Sequence, residues 1–222
     1  MELHLFHIDP ASVDAARVEP LLSEEERARR AEYRFAKHQH QFTVTRALIR
    51  TTLSQFADVA PREWRFTLGA QGKPSIANDG VALQFNVSHT EGLIVLAVAT
   101  AEVGVDVEAT SRETDHLAVG RRFFSAPEYE ELARSSDAAR AFFHYWTLKE
   151  SYIKACGGGL SIPLSTFAFT PPNVDPPQIR FIRRNDDPDA WRFVTLRKGE
   201  HQMAAAVRTR EDLRVTTREA EL

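Results

Sequence analysis

The segment formed by residues 137–156 constrains the fold more than any other part of the chain. Large apolar side chains recur through it at intervals that suit a broad face of a helix, and three glycines follow at 157–159. These side chains are Phe142, Phe143, Tyr145, Trp146, Leu148, Tyr152 and Ile153. The pattern predicts a long helix that meets a core or a cleft and ends at the glycines.

The first half of the chain also combines a long helix with strands. Ser23 and Glu26 form a capping-box pattern that predicts a helix start, and a second helix is predicted over about residues 38–57. Strand patterns follow, which suggest an antiparallel meander: residues 64–68, 82–88, 93–99 and 103–108. Further strands are predicted at 191–196 and 202–207. We therefore expect a mixed α/β (α+β) fold of two similar subdomains, residues 1–105 and 106–222.

Composition and charge exclude several classes of protein. The 28 Lys and Arg residues against 31 Asp and Glu residues lack the basic excess of a nucleic-acid-binding protein. A single cysteine, Cys156, excludes an internal disulfide. The longest apolar run, residues 93–99, is far shorter than the roughly twenty residues of a membrane-spanning helix, and the N-terminus does not resemble a signal peptide. We expect a cytoplasmic protein that binds neither nucleic acid nor membranes.

Two groups of acidic and basic residues are candidates for chemistry. Asp106 and Glu108, two apart on one predicted strand, project from the same face, where paired carboxylates suit Mg²⁺. Glu150 and Lys154 lie one helical turn apart in the long helix. Each group has an ordinary alternative: the polar side of an edge strand for the first, and a surface ion pair for the second.

Several other residues could contact phosphate. Ser88 and His89 lie at the end of a predicted strand, and Lys73 lies in a tight turn, although each position is also common in turns and on solvated surfaces. Arginines at 27, 30 and 34 are spaced for one stripe of the first helix. That stripe indicates either a solvated face or an anchor for phosphate, which guanidinium groups bind well.

Four ordered motifs together resemble the Sfp-type 4′-phosphopantetheinyl transferases. They are GKP at 72–74, FNVSH at 85–89, GVDVE at 104–108 and WTLKESYIKACGGGL at 146–160. The resemblance implies two subdomains related by a pseudo-twofold axis, with coenzyme A and Mg²⁺ in the cleft between them, in a protein that is a monomer.

The resemblance also implies roles for the candidate residues. Asp106, Glu108 and Glu150 would be the metal ligands, and Lys154 would contact the transferring phosphate. Coenzyme A would be bound by a larger set: Lys73, Ser88, His89, Arg30 and Arg34. The implied reaction moves the phosphopantetheine arm of coenzyme A onto a serine of an apo acyl, peptidyl or aryl carrier protein, with Glu150 as the base.

Two alternatives use the same residues differently. The three carboxylates also suit a Mg²⁺-dependent phosphoesterase or nucleotidyl transferase. A non-catalytic module that binds coenzyme A or a carrier protein is the other alternative. Carrier contacts are expected in residues 110–124.

Overall fold

A computed structural model describes residues 1–222, which form eleven strands and six α-helices joined by short turns. The strands are β1 (Glu2–Ile8), β2 (Phe66–Leu68), β3 (Pro74–Ile76), β4 (Gln84–Thr90), β5 (Leu93–Ala99), β6 (Val103–Ala109), β7 (Phe167–Phe169), β8 (Ile179–Phe181), β9 (Trp191–Lys198), β10 (His201–Arg208) and β11 (Arg214–Glu219). The helices are α1 (Ala15–Val18), α2 (Glu24–Ala31), α3 (Ala36–Leu53), α4 (His116–Phe123), α5 (Ala126–Arg134) and α6 (Ala138–Ala155). None of the helices is both long and apolar enough to cross a lipid bilayer.

Two main sheets each pack against one long helix. The first sheet has the strand order β11-β1-β5-β4 and the second the order β6-β10-β9, while β2-β3 and β7-β8 form separate hairpins. An apolar cluster joins α3 to the first sheet, and a larger cluster joins α6 to the second. These small sheets with their helices confirm the predicted mixed α/β class. The division of the chain at residues 105 and 106 stays a prediction, and it falls within β6.

A third apolar cluster is shared by the two sheets. It contains Leu3 of β1 and Val95 of β5 from the first sheet, and the inward-facing valines of β6 from the second. Those valines, Val103, Val105 and Val107, share one face as the alternation predicted. The opposite face of β6, which carries Asp106 and Glu108, is thereby turned toward α6.

The predicted meander is correct for β4 and β5 and wrong for β2, which pairs with β3, and for β6. β4 and β5 pair antiparallel, whereas β6 pairs with β10 in the other sheet. Side chains of β4 reach β6 in place of a backbone ladder; for example, the amide of Ala109 donates to the hydroxyl of Thr90 at 3.3 Å. The strand pattern of β6 indicates a strand but does not identify its partner, because pairing is decided by packing of distant segments.

The helix ends agree with the capping signals in part. Capping boxes begin α2 at Ser23 and α5 at Ser125, as their sequences predict. α2 ends at Ala31, so Arg34 lies outside it and the predicted stripe of arginines does not continue to that residue. Beyond the end of α2, Tyr33 packs against Phe42 of α3, with ring centroids 5.5 Å apart.

Candidate active site

Side chains of β4 fix the position of β6 at the seam between the sheets. The Asn86 side-chain oxygen accepts a hydrogen bond of 2.9 Å from the backbone N–H of Val105. Two residues further along β4, the Ser88 hydroxyl donates to Asp106 Oδ1 at 3.0 Å. All of these groups are buried. The seam therefore holds Asp106 at a defined position on β6.

Helix α6 lies unusually close to β6 because Gly104 has no side chain. A Cβ atom at Gly104 would stand 2.1 Å from the Ser151 carbonyl oxygen and 2.4 Å from the Ala155 backbone nitrogen. Such distances do not occur in folded proteins, so only glycine permits this approach. The close packing brings Lys154 of α6 against β6.

Lys154 joins the helix to the strand through hydrogen bonds. Its Nζ lies 2.6 Å from Asp106 Oδ1 and 3.0 Å from the Ser88 hydroxyl. The Asp106 side chain is almost fully buried, whereas Lys154 is partly exposed. One ammonium group thus connects β4, β6 and α6 at the mouth of a cleft.

Glu108 has two partners of its own. Trp146 of α6 donates its indole N–H to Glu108 Oε1 at 3.1 Å, and an Arg112 guanidinium nitrogen lies 3.2 Å from Glu108 Oε2. Burial and the nearby charge of Asp106 raise the pKa of Glu108, and Arg112 opposes that shift. The side chain is therefore held in an environment with excess negative charge.

Glu150 makes no hydrogen bond to the protein and faces the same cleft. Burial raises the pKa of Glu150 to about 7, with further contributions from the charges of Asp106 and Glu108, while Lys154 acts in the opposite direction. The cleft has a volume of about 360 Å³, and six predicted site residues line it: Ser88, His89, Asp106, Glu108, Glu150 and Lys154. A carboxylate with a pKa near 7 and no partner is suited to accept a proton.

The three carboxylates have the donor chemistry of a magnesium site. Asp106 Oδ2 is buried and has no hydrogen-bond partner, so one ligand atom stands free. Oxygen-only donors with unbalanced negative charge suit Mg²⁺, which would neutralise them. Their side chains as oriented here do not form a closed cluster of three or more metal-binding groups. The donor types of Asp106, Glu108 and Glu150 therefore match the ion, and Lys154 holds Asp106 through a contact of 2.6 Å; the role of the three as metal ligands stays a prediction.

The remaining predicted phosphate contacts lie elsewhere. The Nζ of Lys73 donates to the carbonyl oxygens of Val103 and Ala155, at 3.0 and 2.8 Å, so it joins the β2-β3 hairpin to the end of α6. Arg30 lies 3.3 Å from a Glu19 carboxylate oxygen, and Arg34 is exposed on the link between α2 and α3. The coenzyme A contacts of Lys73, Arg30 and Arg34 stay predictions.

A neighbouring cleft contains two histidines, His38 and His40, that the sequence did not single out. It has a volume of about 530 Å³, shares His89 with the first cleft, and is also lined by Lys37, His38 and His40 from the start of α3. Burial and the charge of Lys154 lower the pKa of His89. The sequence KHQH at 37–40 was the available signal, but nothing in it indicated proximity to His89.

Lys149 is a buried cation that the sequence analysis also missed. Its Nζ lies 2.8 Å from Glu128 Oε2 and donates to the carbonyl oxygens of Leu164 and Phe167, both at 2.7 Å. All three ammonium protons are therefore used. Glu128 also completes the capping box of α5 with Ser125. This network fixes the backbone of α6 next to Glu150.

Comparisons with known proteins point to one family. A model described as the 4′-phosphopantetheinyl transferase superfamily matches residues 102–207, and one described as 4′-phosphopantetheinyl transferase, N-terminal, matches residues 9–101. HetI of Nostoc sp., a 4′-phosphopantetheinyl transferase, is 36% identical over 72% of this chain and 70% of its own length. The transferase psf-1 of Bacillus pumilus is 32% identical over 86% of this chain and 75% of its own length.

Two more proteins are similar over less of the chain. Sfp of Bacillus subtilis, also a 4′-phosphopantetheinyl transferase, is 32% identical over 66% of this chain and 65% of its own length. The crystal structure of Thermotoga maritima holo-[acyl-carrier-protein] synthase matches 50% of this chain and 64% of its own, with 18% identity and a TM-score of 0.42.

Proposed function

This chain belongs to the Sfp-type 4′-phosphopantetheinyl transferase family, and on that premise we propose that it moves the 4′-phosphopantetheine arm of coenzyme A onto a serine hydroxyl of an apo carrier protein. The co-product is 3′,5′-ADP. Membership makes the chain an enzyme of the transferase class, which argues against a non-catalytic module and against a phosphoesterase. The observation that carries the proposal is the cleft in which Glu150, with its raised pKa, faces Asp106, Glu108 and Lys154.

Glu150 is the proposed general base. The serine oxygen attacks the β-phosphorus of coenzyme A, the bond from that phosphorus to the bridging oxygen of 3′,5′-ADP breaks, and the serine proton passes to Glu150. With no ion bound, the pKa of Glu150 is about 7. A bound Mg²⁺ would lower that pKa, so at neutral pH Glu150 would meet the hydroxyl as the ionised carboxylate that a base must be. The half-buried carboxylate has no partner in the protein and is therefore free to meet the hydroxyl.

Lys154 and Ser88 are placed to contact phosphate oxygens. The Lys154 ammonium and the Ser88 hydroxyl stand 3.0 Å apart and line the same cleft. Two ammonium protons of Lys154 are used on Asp106 and Ser88, which leaves the third free for a phosphate oxygen, whereas the Ser88 hydroxyl would have to exchange its bond to Asp106 for one to phosphate. A fixed donor of this kind stabilises the charge that develops on phosphate oxygens during transfer. Asp106, Glu108 and Glu150 would hold Mg²⁺, which when bound neutralises the charge of the coenzyme A pyrophosphate.

The basic cleft beside His89 supports a position for the nucleotide end of coenzyme A. Lys37, His38 and His40 line that cleft, and His89 belongs to both clefts. A ligand that spans them would place its pyrophosphate near Lys154 and its remaining phosphate near Lys37. Because one chain supplies both clefts, we propose that the enzyme works as a monomer.

The carrier protein would bind beside α4, so that its serine enters the catalytic cleft from that side. Phe123 at the end of α4 and Leu160 after α6 line the catalytic cleft, and Leu160 is one of the most exposed apolar side chains of the molecule. Apolar groups at the rim of a polar cleft suit contact with another protein. Acyl, peptidyl and aryl carriers are all compatible with this surface.

The test is mass spectrometry of a panel of apo carrier proteins incubated with the enzyme, coenzyme A and Mg²⁺. We expect one phosphopantetheine on at least one carrier, and we expect Glu150→Gln to lower the initial rate on the order of 10²–10⁴-fold, the usual contribution of a general base. The matched control is Glu130→Gln, an exposed glutamate of α5 without an ion pair, which should retain the wild-type rate.

Two results would contradict the proposal. If coenzyme A is consumed without any carrier, the enzyme is a phosphoesterase. If Glu150→Gln, folded by circular dichroism, modifies the carrier as fast as Glu130→Gln does, then Glu150 is not the base.

A further inference from the structure

A second pocket lies against α6 and shares no residue with the catalytic cleft. Its volume is about 190 Å³. α6 contributes Arg140 and His144, β9 contributes Thr195 and Arg197, and β10 contributes Gln202. The pocket therefore lies on the same helix and the same sheet as the catalytic residues, but nearer the start of α6 and on the strands β9 and β10.

The strand register places this pocket on the face of the sheet that carries Glu108. Gln202 of β10 is paired with Glu108 on one side and with Arg197 on the other. Directly opposed residues project from the same face of a sheet, so the three side chains form one row across it. On α6, Arg140 and His144 lie one turn apart and at least six residues before Glu150, toward the start of the helix. The pocket thus begins at Gln202, one strand over from Glu108, and extends to Arg197 on the strand beyond it.

The pocket has positive charge and no acidic residue. The two guanidinium groups of Arg140 and Arg197 are exposed and form no ion pair and no side-chain hydrogen bond. No aspartate or glutamate lines the pocket. Arginine side chains bind the oxygens of phosphate and carboxylate in a forked geometry, so two free guanidiniums favour an oxyanion. The hydroxyl of Thr195 is a third donor without a partner.

The buried floor of the pocket supplies hydrogen-bond acceptors. The Nε2 of His144 lies 3.1 Å from the Thr170 carbonyl oxygen, which only accepts, so Nε2 carries the proton and Nδ1 of the neutral ring is an acceptor. Gln202 is also buried, and its amide nitrogen donates to the carbonyl oxygens of Leu196 and Met203. Neither His144 Nδ1 nor Gln202 Oε1 has a partner in the protein. The pocket therefore combines free cations with free acceptors.

We propose that this pocket binds inorganic phosphate in its singly protonated form, the hydrogen phosphate dianion. Arg140, Arg197 and Thr195 donate to the phosphate oxygens, and the acceptors on His144 or Gln202 take the remaining P–OH hydrogen. Carboxylates and sulfate carry no such hydrogen at neutral pH, so they leave the buried acceptors unpaired. The site is separate from the catalytic cleft and adds a second phosphate-binding function to the transferase.

The experiment is calorimetric titration of the whole enzyme with inorganic phosphate at pH 7 and constant ionic strength. Coenzyme A is present in excess, so that phosphate cannot compete for the catalytic cleft. We expect one phosphate per chain. Binding should be about tenfold weaker or worse in Arg140→Gln and in Arg197→Gln, because each change removes a charge-assisted hydrogen bond. Arg65→Gln, an exposed arginine without an ion pair, is the control and should bind as the wild type does.

The second arm replaces phosphate with sulfate, and we expect at least about tenfold weaker binding because the acceptors stay unpaired. In the wild type, the NMR signals of the His144 ring should shift as phosphate is added, a readout that needs no variant. The proposal is overturned if the wild type shows no saturable binding, if both arginine variants keep wild-type affinity, or if sulfate binds as tightly as phosphate. If coenzyme A does not bind, the proposed transferase function is contradicted. The phosphate site is then still tested, because its binding must depend on Arg140 and Arg197.

Discussion

Replacing Gly104 with alanine tests whether the close approach of α6 to β6 sets the geometry of the active site. The added Cβ would stand 2.1 Å from the Ser151 carbonyl oxygen and 2.4 Å from the Ala155 nitrogen. Real Cβ atoms essentially never approach a heavy atom closer than 3.0 Å. The contacting atoms are backbone and cannot rotate away, so the helix must move by about 0.9 Å or more to relieve the shorter contact.

The displacement of α6 should lower both the stability of the protein and its catalytic rate. Added methyl groups in a well-packed core cost about 1–3 kcal/mol, which lowers the melting temperature by about 2–4 °C per kcal/mol in a chain of this size. Lys154 Nζ lies 2.6 Å from Asp106 Oδ1, and a shift of about 1 Å in such a contact lowers catalysis on the order of 10²-fold. We therefore expect Gly104→Ala to remain folded, with a free energy of unfolding lower by about 1–3 kcal/mol, while its rate falls on the order of 10²-fold.

The assay is the initial rate of carrier modification, measured well below the melting temperature of the variant so that both proteins are folded. Gly69→Ala is the matched control, because a Cβ there meets only the Lys73 carbonyl oxygen at an ordinary 3.5 Å, and its rate should stay within about twofold of wild type. A Gly104→Ala enzyme with wild-type rate and wild-type melting temperature would refute the reasoning, because α6 would then have tolerated a Cβ without moving.

Two further predictions concern buried charges. Lys149→Met leaves Glu128 buried without its partner and should lower the free energy of unfolding by about 3–5 kcal/mol. Adding Glu128→Gln removes the unpaired charge and should recover part of that loss. Equal losses in the single and double variants, measured by urea unfolding, would contradict this. Burial acts to raise the pKa of Glu26, but the hydrogen bond from Arg50 and the charge of Arg46 outweigh it and lower that pKa. The ionised Glu26 therefore stabilises the fold fully above its unfolded pKa of about 4.5, and this stabilisation is lost as the pH falls through the lower folded pKa. Urea unfolding at a series of pH values should show that Glu26→Gln flattens the pH dependence of stability in that acid range only.

Local signals in the sequence were sufficient for most elements. β5 begins and ends as predicted, and α6 lies within the segment that the aromatic pattern and the glycines indicated. Capping boxes identify helix starts because they depend on residues three positions apart, which the sequence shows directly. α4 was missed, since residues 116–123 span little more than two helical turns and include Gly120, too short a run to establish a helical period.

Long-range partners were beyond the reach of such signals. β11 at the end of the chain pairs parallel with β1 at its start, an arrangement that no local pattern specifies. Lys73 illustrates the same limit within the site: a lysine in an exposed turn became a partly buried cation bound to two carbonyl oxygens only because α6 ends beside that turn. Burial of a charged group depends on the assembled fold, and spacing in the sequence does not determine it.

The seam between β4 and β6 explains how residues from both halves reach one cleft. If the two strands shared a backbone ladder, the amide of Val105 would bond to a carbonyl of β4, and the side chains between them would have no role in the contact. Here the Asn86 side chain accepts that hydrogen bond and the Ser88 hydroxyl bonds to Asp106 instead. A ladder fixes only the backbone, whereas bonds from side chains fix a functional carboxylate directly. The polar residues of β4 therefore act both as the joint between the sheets and as the support of Asp106, which is why Lys154 can meet both Asp106 and Ser88 at a single point.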